Sequence, residues 1–161
     1  LPPPSFLKTA SIEMSLMSQK IFVNLPVTDV KRSTAFYEAL GATKNERFSN
    51  ETTSGMVISE TIHVMLLSHE RWRDFTTKTI PDARASAQML LCLMLESPAA
   101  CDDAVEAAVA AGGTADPTPK QDYGFMYGRS YEDPDGHIWE VAWMDLAAME
   151  KAMAESGPAA G

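Results

Sequence analysis

Asp133-Pro134-Asp135-Gly136-His137-Ile138-Trp139-Glu140 is a tight turn that feeds a carboxylate onto a β-strand. Pro134 fixes its own φ, Gly136 permits a positive one, and the Asp side chains can accept from nearby backbone N–H groups. Beyond the turn, Ile138, Glu140 and Ala142 share one strand face, while His137, Trp139, Val141 and Trp143 share the other. A Glu on so apolar a strand needs water, a hydrogen-bond partner or a metal.

Working outward from this turn, the chain repeats itself. Phe22-Val23-Asn24-Leu25-Pro26-Val27-Thr28-Asp29 reads as a strand, followed by a helix over 30–40 that stops at Gly41. Leu90-Leu91-Cys92-Leu93-Met94-Leu95-Glu96-Ser97 reads the same way, followed by a helix over 98–111 that stops at Gly112-Gly113. Further strands are expected over 43–49, 55–60 and 62–68 in the first half, and over 115–119, 125–132 and 137–144 in the second. Each half is then a βαβββ module, and the expected class is α+β. A connection over 68–86, containing Trp72 and Phe75, joins them.

Composition bounds the function. A chain of 161 residues, 45% hydrophobic and 22% charged, has enough apolar material for one ordinary domain with a real core. Its net charge of −9 argues against nucleic acid or an anionic membrane as partner, since both require a concentrated basic patch. No run of about 18 apolar residues is present to span a membrane. Cys92 and Cys101 lack a framework spacing, which points to reduced thiols and a cytoplasmic setting. Residues 1–17, with Pro2-Pro3-Pro4 and no apolar h-region, are expected to be a disordered leader. The domain is expected over 18–146, its modules over about 18–69 and 87–146, with a short helix capped by Asp145 and a tail over 147–161.

The paired modules, together with Leu25-Pro26-Val27-Thr28-Asp29-Val30, Ser33, Phe36-Tyr37, Leu40-Gly41 and the run from Asp133 to Glu140, resemble the vicinal oxygen chelate superfamily. That superfamily includes glyoxalase I, extradiol dioxygenases, fosfomycin-resistance enzymes and bleomycin-binding proteins. The resemblance covers about residues 19–145, and it implies a cup-shaped mixed sheet built from both modules. In its Phe-Met-Tyr-Gly-Arg-Ser stretch over 125–130 and its Asp-Gly-His-Ile-Trp-Glu stretch, the chain resembles uncharacterised bacterial glyoxalase-like members.

In metal-dependent members, four ligands line the cup, two on the first strands of the modules and two on the last. Carried over by position, these fall at Phe22 and Leu90, and at Leu66 and Glu140. Aligning His63-Val64-Met65-Leu66 with His137-Ile138-Trp139-Glu140 returns the same register. Three of the four are apolar, whereas a protein-held Zn, Ni, Mn or Fe takes three or more N, O or S ligands. No resident metal is therefore expected. By the same parity, His63 and His137 should point away from Glu140, and His69 should be solvated.

The expected cup wall is mostly apolar, with Phe22, Pro26, Leu66, Leu90, Met94 and Ile138 around three polar points, Asn24, Cys92 and Glu140. Apolar walls with few orienting groups describe a small-molecule pocket. The competing reading is a cup packed solid with these side chains. On the strand over 125–132, Phe125, Tyr127, Arg129 and Tyr131 form one row and Met126, Gly128 and Ser130 the other, and the pattern leaves open which row faces the cup. An Arg flanked by Tyr residues suits an anionic or aromatic ligand, which makes Tyr127 and Arg129 ligand candidates. It suits pairing with Glu140 or a surface carboxylate equally well.

The resulting expectation is a homodimer whose apolar cup binds a small organic molecule without metal. The alternative is an enzyme with Glu140 as its catalytic base. It would be a lactoylglutathione lyase-like lyase or isomerase, or an extradiol dioxygenase-like oxidoreductase, with a divalent metal completed from elsewhere.

Overall fold

The computed structural model describes residues 19–156. The expected leader over 1–17 and the tail beyond 156 lie outside the described residues.

The first module runs β1 (Ile21–Val27), α1 (Val30–Ala39), β2 (Thr43–Asn45), β3 (Thr53–Val57) and β4 (Ile62–Ser68). A short helix, α2 (His69–Trp72), opens the connection. The second module follows as β5 (Leu91–Met94), α3 (Pro98–Ala110), β6 (Thr114–Ala115), β7 (Gln121–Asp122), β8 (Met126–Glu132) and β9 (Ile138–Met144), and α4 (Leu146–Ser156) closes the described chain. The protein is thus α+β, with two mixed sheets of matching topology. One is ordered β1-β4-β3-β2 and the other β5-β9-β8-β6, with β7 paired to β8. In each, the first strand lies parallel beside the last, and the remaining pairs are antiparallel.

Local chemistry sets the helix ends. Asp29 accepts from the Arg32 N–H at 3.0 Å to cap α1, and Ser97 accepts from the Ala100 N–H at 3.1 Å to cap α3, with Pro98 in the first turn. Asp145 caps α4 in the same way, accepting from Ala148 at 3.0 Å. Where strands were expected to be longer, side chains cut them short. Asn45 turns back to accept from Arg47, so the chain leaves β2 in a 3₁₀ turn over Glu46–Phe48. Past β6, Pro117, Pro119 and an Asp116 held at φ 51° stop further pairing. The loop over 120–124 contributes β7, with Gln121 opposite Gly128.

One hydrophobic core joins the modules. Leu25, Val27, Met56, Val64 and Leu66 from the first sheet and Tyr131, Trp139 and Val141 from the second pack with Phe36 and Tyr37 of α1 and Cys101, Val105 and Ala108 of α3. Each sheet therefore has a core face against the helices and an opposite, open face.

The turn over 133–136 clasps the modules together. The Asp135 carboxylate accepts from the Thr28 hydroxyl at 2.6 Å, the Thr28 N–H at 2.9 Å and the Ser33 hydroxyl at 3.1 Å, with Arg32 3.5 Å away. Trp139 Nε1 donates to the Tyr37 hydroxyl at 3.0 Å, which in turn donates to Asp133 at 2.8 Å. The Arg84 guanidinium, from the connection, donates to the Pro134 carbonyl. Gly136 sits beneath that strap at φ 98°, where an added Cβ would come within 2.8 Å of the Arg84 backbone nitrogen. Gly136→Ala is therefore expected to lower stability by about 1–3 kcal/mol in urea unfolding. A variant as stable as wild type would mean that the connection yields freely.

Candidate functional site

The open faces carry the residues of interest, and strand register decides which these are. On the first sheet, Phe22 lies opposite His63, Asn24 opposite Met65 and Pro26 opposite Leu67. On the second, Cys92 lies opposite Glu140, which lies opposite Ser130. Phe22 is 45% exposed and Leu90, just before β5, is 49% exposed. Asn24 and Cys92 are exposed, and Glu140 is half-buried.

Four expected positions, Leu66, His63, Tyr127 and Arg129, are corrected. Leu66 does not line an open face. It is fully buried beneath the helices, opposite Leu25 and Ser54. The turns explain the error. The Ile58 N–H bonds to the Ile62 carbonyl, as the Asp133 N–H bonds to the His137 carbonyl. Ile62, not His63, is thus the counterpart of His137, and Met65, not Leu66, is the counterpart of Glu140. A one-residue slip moves every side chain to the other face. His63 accordingly lies on the open face, its ring stacked on Phe22 at 4.5 Å, with its Nε2 buried and unpaired.

Tyr127 and Arg129 are the other two corrections, because their row faces α3. Arg129 donates to both oxygens of Asp116, at 3.1 and 2.8 Å, and to Asp102 of α3 at 2.9 Å. Tyr127 donates to the same Asp102 at 2.8 Å. The hydrogen bonds from Arg129 hold both Asp carboxyls below their usual range. This is an internal clamp of the second module, so the carboxylate partners of Arg129 are neither Glu140 nor a ligand.

The open faces meet at the edge strands. A cavity of about 120 Å³ lies there, lined by Asn24, Pro26, Ile138, Leu91 and, from the connection, Trp72 and Met89. His137 Nε2 reaches the Pro26 carbonyl oxygen at 2.8 Å, which places the proton on Nε2 and ties the start of β9 to the end of β1. Trp72, which the sequence placed in the connection but not among the ligand residues, forms one wall of this cavity. Its signal was an aromatic pair, Trp72 and Phe75, in an otherwise polar connection. Phe22, Leu90, Cys92 and Glu140 lie outside the lining, whereas Asn24, Pro26 and Ile138 of the expected cup border it.

Polar groups on the open face of the second sheet are sparse. Partial desolvation by its neighbours, and then the Glu140 charge opposite, push the Cys92 thiol up, which disfavours its thiolate. Ser130 accepts from the Thr118 N–H at 3.1 Å and lies 2.7 Å from the Thr118 hydroxyl. The Glu140 carboxylate makes no hydrogen bond or ion pair among the described residues.

With the register corrected, the four strand positions hold Phe22, Met65, Leu90 and Glu140, which together offer one carboxylate and one thioether. Among the described residues no group of three or more His, Cys, Asp or Glu is placed to hold an ion. The set does not fit a divalent metal held within one chain.

The family model of the Glyoxalase/Bleomycin resistance protein/Dioxygenase superfamily matches residues 21–141. The chain belongs to this superfamily. Solved structures show the shared fold. A glyoxalase-related enzyme from Fulvimarina pelagi is 23% identical over 78% of this chain and 87% of its own, with a TM-score of 0.65. A glyoxalase/bleomycin resistance protein/dioxygenase family enzyme from Burkholderia phytofirmans is 21% identical over 77% and 97%, with a TM-score of 0.63. The fosfomycin resistance protein FosX from Mesorhizobium loti is 15% identical over 81% and 95%, with a TM-score of 0.57. No protein with a curated description matches. Among the described residues no helix is long and apolar enough to cross a membrane. The superfamily supports many chemistries on one scaffold, so membership sets the fold and leaves the activity to the site.

Proposed function

We propose that this superfamily member binds a small organic molecule on the apolar open faces of its sheets, without a resident metal, and that two copies of the chain associate over those faces. The observation that carries this reading is the state of the faces themselves. Phe22, Leu90 and Met94 are 45%, 49% and 60% exposed, a large unpartnered apolar surface flanking only a few polar groups. Asn24, at the mouth of the inter-sheet cavity, supplies an amide to orient a ligand, and Cys92 and Glu140 supply polar contacts on the second sheet. Two free thiols accord with a cytoplasmic setting.

The test pairs metal content with assembly. After incubation with Ni, Zn, Mn or Fe(II) and exhaustive desalting, mass spectrometry is expected to find no retained metal. Sedimentation is expected to find a dimer that Phe22→Ser with Met94→Ser dissociates. Near-stoichiometric retention of one metal, lost in Glu140→Ala, would overturn the metal-free reading.

A second reading has its own support in Glu140. A half-buried carboxylate with no hydrogen-bond partner, on the face where a ligand would lie, is placed to accept a proton from a bound substrate, as a lyase or isomerase requires. Under this reading Glu140→Gln abolishes turnover and leaves substrate affinity within about threefold, whereas a pure binder shows no turnover to lose.

A further inference from the structure

A second cavity lies away from the open faces, inside the joint between the modules. Its volume is about 180 Å³. Leu40, Ala42 and Ile58 line it from the first module, and Leu93, Ala104 and Val141 from the second. Tyr37 and Tyr131 also border it, and the exposed Gly41 marks its mouth.

The two tyrosines differ in one respect that matters. The Tyr37 hydroxyl is engaged in the clasp, accepting from Trp139 and donating to Asp133. Tyr131 is 3% exposed, and its hydroxyl has no hydrogen-bond partner among the described residues. The fully buried unpaired side-chain atoms among the described residues are Thr53 Oγ1 and His63 Nε2, so the Tyr131 oxygen still reaches open space, and an unpaired hydroxyl bordering a cavity is placed to pair with an occupant. Ordered water is a poor one, because it needs two to four polar partners and the wall offers a single free one. An apolar cavity of roughly 150 Å³ is large enough for a benzene ring.

We propose that this inter-module cavity is a binding site for a small, neutral, largely apolar molecule of about one ring, carrying one polar substituent that pairs with the Tyr131 hydroxyl. No charged side chain lines the void, so an ion would lose its hydration without compensation. Because the walls come from both modules, the occupant braces them against each other, and binding raises the unfolding temperature. The site is independent of the open-face reading, since it uses the opposite side of both sheets.

Phenol and toluene are the probes, and methyl-detected NMR of the whole protein is the readout. Phenol is expected to shift the methyl signals of Leu40, Ile58, Leu93 and Val141 saturably. Tyr131→Phe should weaken phenol about fivefold, the scale of one neutral hydrogen bond, and leave toluene unchanged. Ala104→Leu, which fills the void, should abolish both, and Ala42→Leu does the same from the facing module if the first variant folds poorly. Absence of saturable shifts in the wild-type protein up to the solubility of phenol would overturn the proposal. So would shifts confined to open-face residues such as Met94, or equal weakening of both probes by Tyr131→Phe.

Discussion

Asp135→Ala is expected to lower folding stability by about 3 kcal/mol, the scale of breaking a buried, charge-assisted hydrogen-bond cluster. The carboxylate is the common acceptor for Thr28 and Ser33, and removing it strands a fully buried Ser33 hydroxyl and the Thr28 N–H at the start of α1. Tyr37→Phe, which deletes one hydroxyl from the Trp139–Tyr37–Asp133 chain, should cost about 1–2 kcal/mol. Urea unfolding checks both, and a loss under about 1 kcal/mol for Asp135→Ala would show that the clasp is decorative.

The two Asp residues of the clasp also predict opposite responses to pH. Burial alone would raise the Asp135 carboxyl, but the hydrogen bonds from Thr28 and Ser33, with Arg32 nearby, hold it below its ordinary value. Its stabilising contribution is therefore complete above the unfolded value of about 3.9 and is lost as pH falls through the lower folded value. Burial pushes the Asp133 carboxyl up, despite the opposing influence of His137 and Tyr37. Keeping it charged costs stability at neutral pH, and that cost is relieved as pH falls through its raised folded value. The gap between wild type and Asp135→Ala should close only at strongly acid pH. Asp133→Asn should lose the relief at milder acidity. Unfolding curves for both variants from pH 7 to about pH 2 measure this directly.

The same turn shows how far the sequence could be read. Asp133 to Gly136 is legible as a turn because each residue has a local reason to be there. Asp29, Ser97 and Pro98 mark helix starts as plainly, and the two Gly-ended helices follow. The residues that clasp the modules are more than 90 positions apart in the chain, as Tyr37 and Asp133 are, and no local pattern encodes that pairing. Register was the other failure. The similarity of His63-Val64-Met65-Leu66 to His137-Ile138-Trp139-Glu140 is real as text, but the turn bond from Ile58 to Ile62 sets the pairing one residue away. That slip exchanged Leu66 for Met65 and turned His63 onto the face of Phe22. The shortfall of metal ligands survived the correction, because Met65 is scarcely a better donor than Leu66.

Arg129→Gln tests the most consequential correction, since it separates a ligand contact from a clamp. The guanidinium is 11% exposed and holds Asp102 and Asp116 together, so its loss leaves two carboxylates near each other without the charge and hydrogen bonds that join them. Because Asp102 and Asp116 are 43% and 27% exposed, solvent screens part of the effect, and a loss of about 1–2 kcal/mol is expected. The hydrogen bonds from Arg129 lower both carboxyls, so their contribution is present above the unfolded value and lost as pH falls through the lowered folded values. The stability gap between wild type and variant should accordingly narrow below about pH 4. Ligand affinity at the open faces should stay within about twofold, as expected for well-separated sites, because the Arg129 row lies on the other side of the sheet from Glu140. A variant of unchanged stability whose ligand affinity falls tenfold would reverse that assignment and return Arg129 to the binding site.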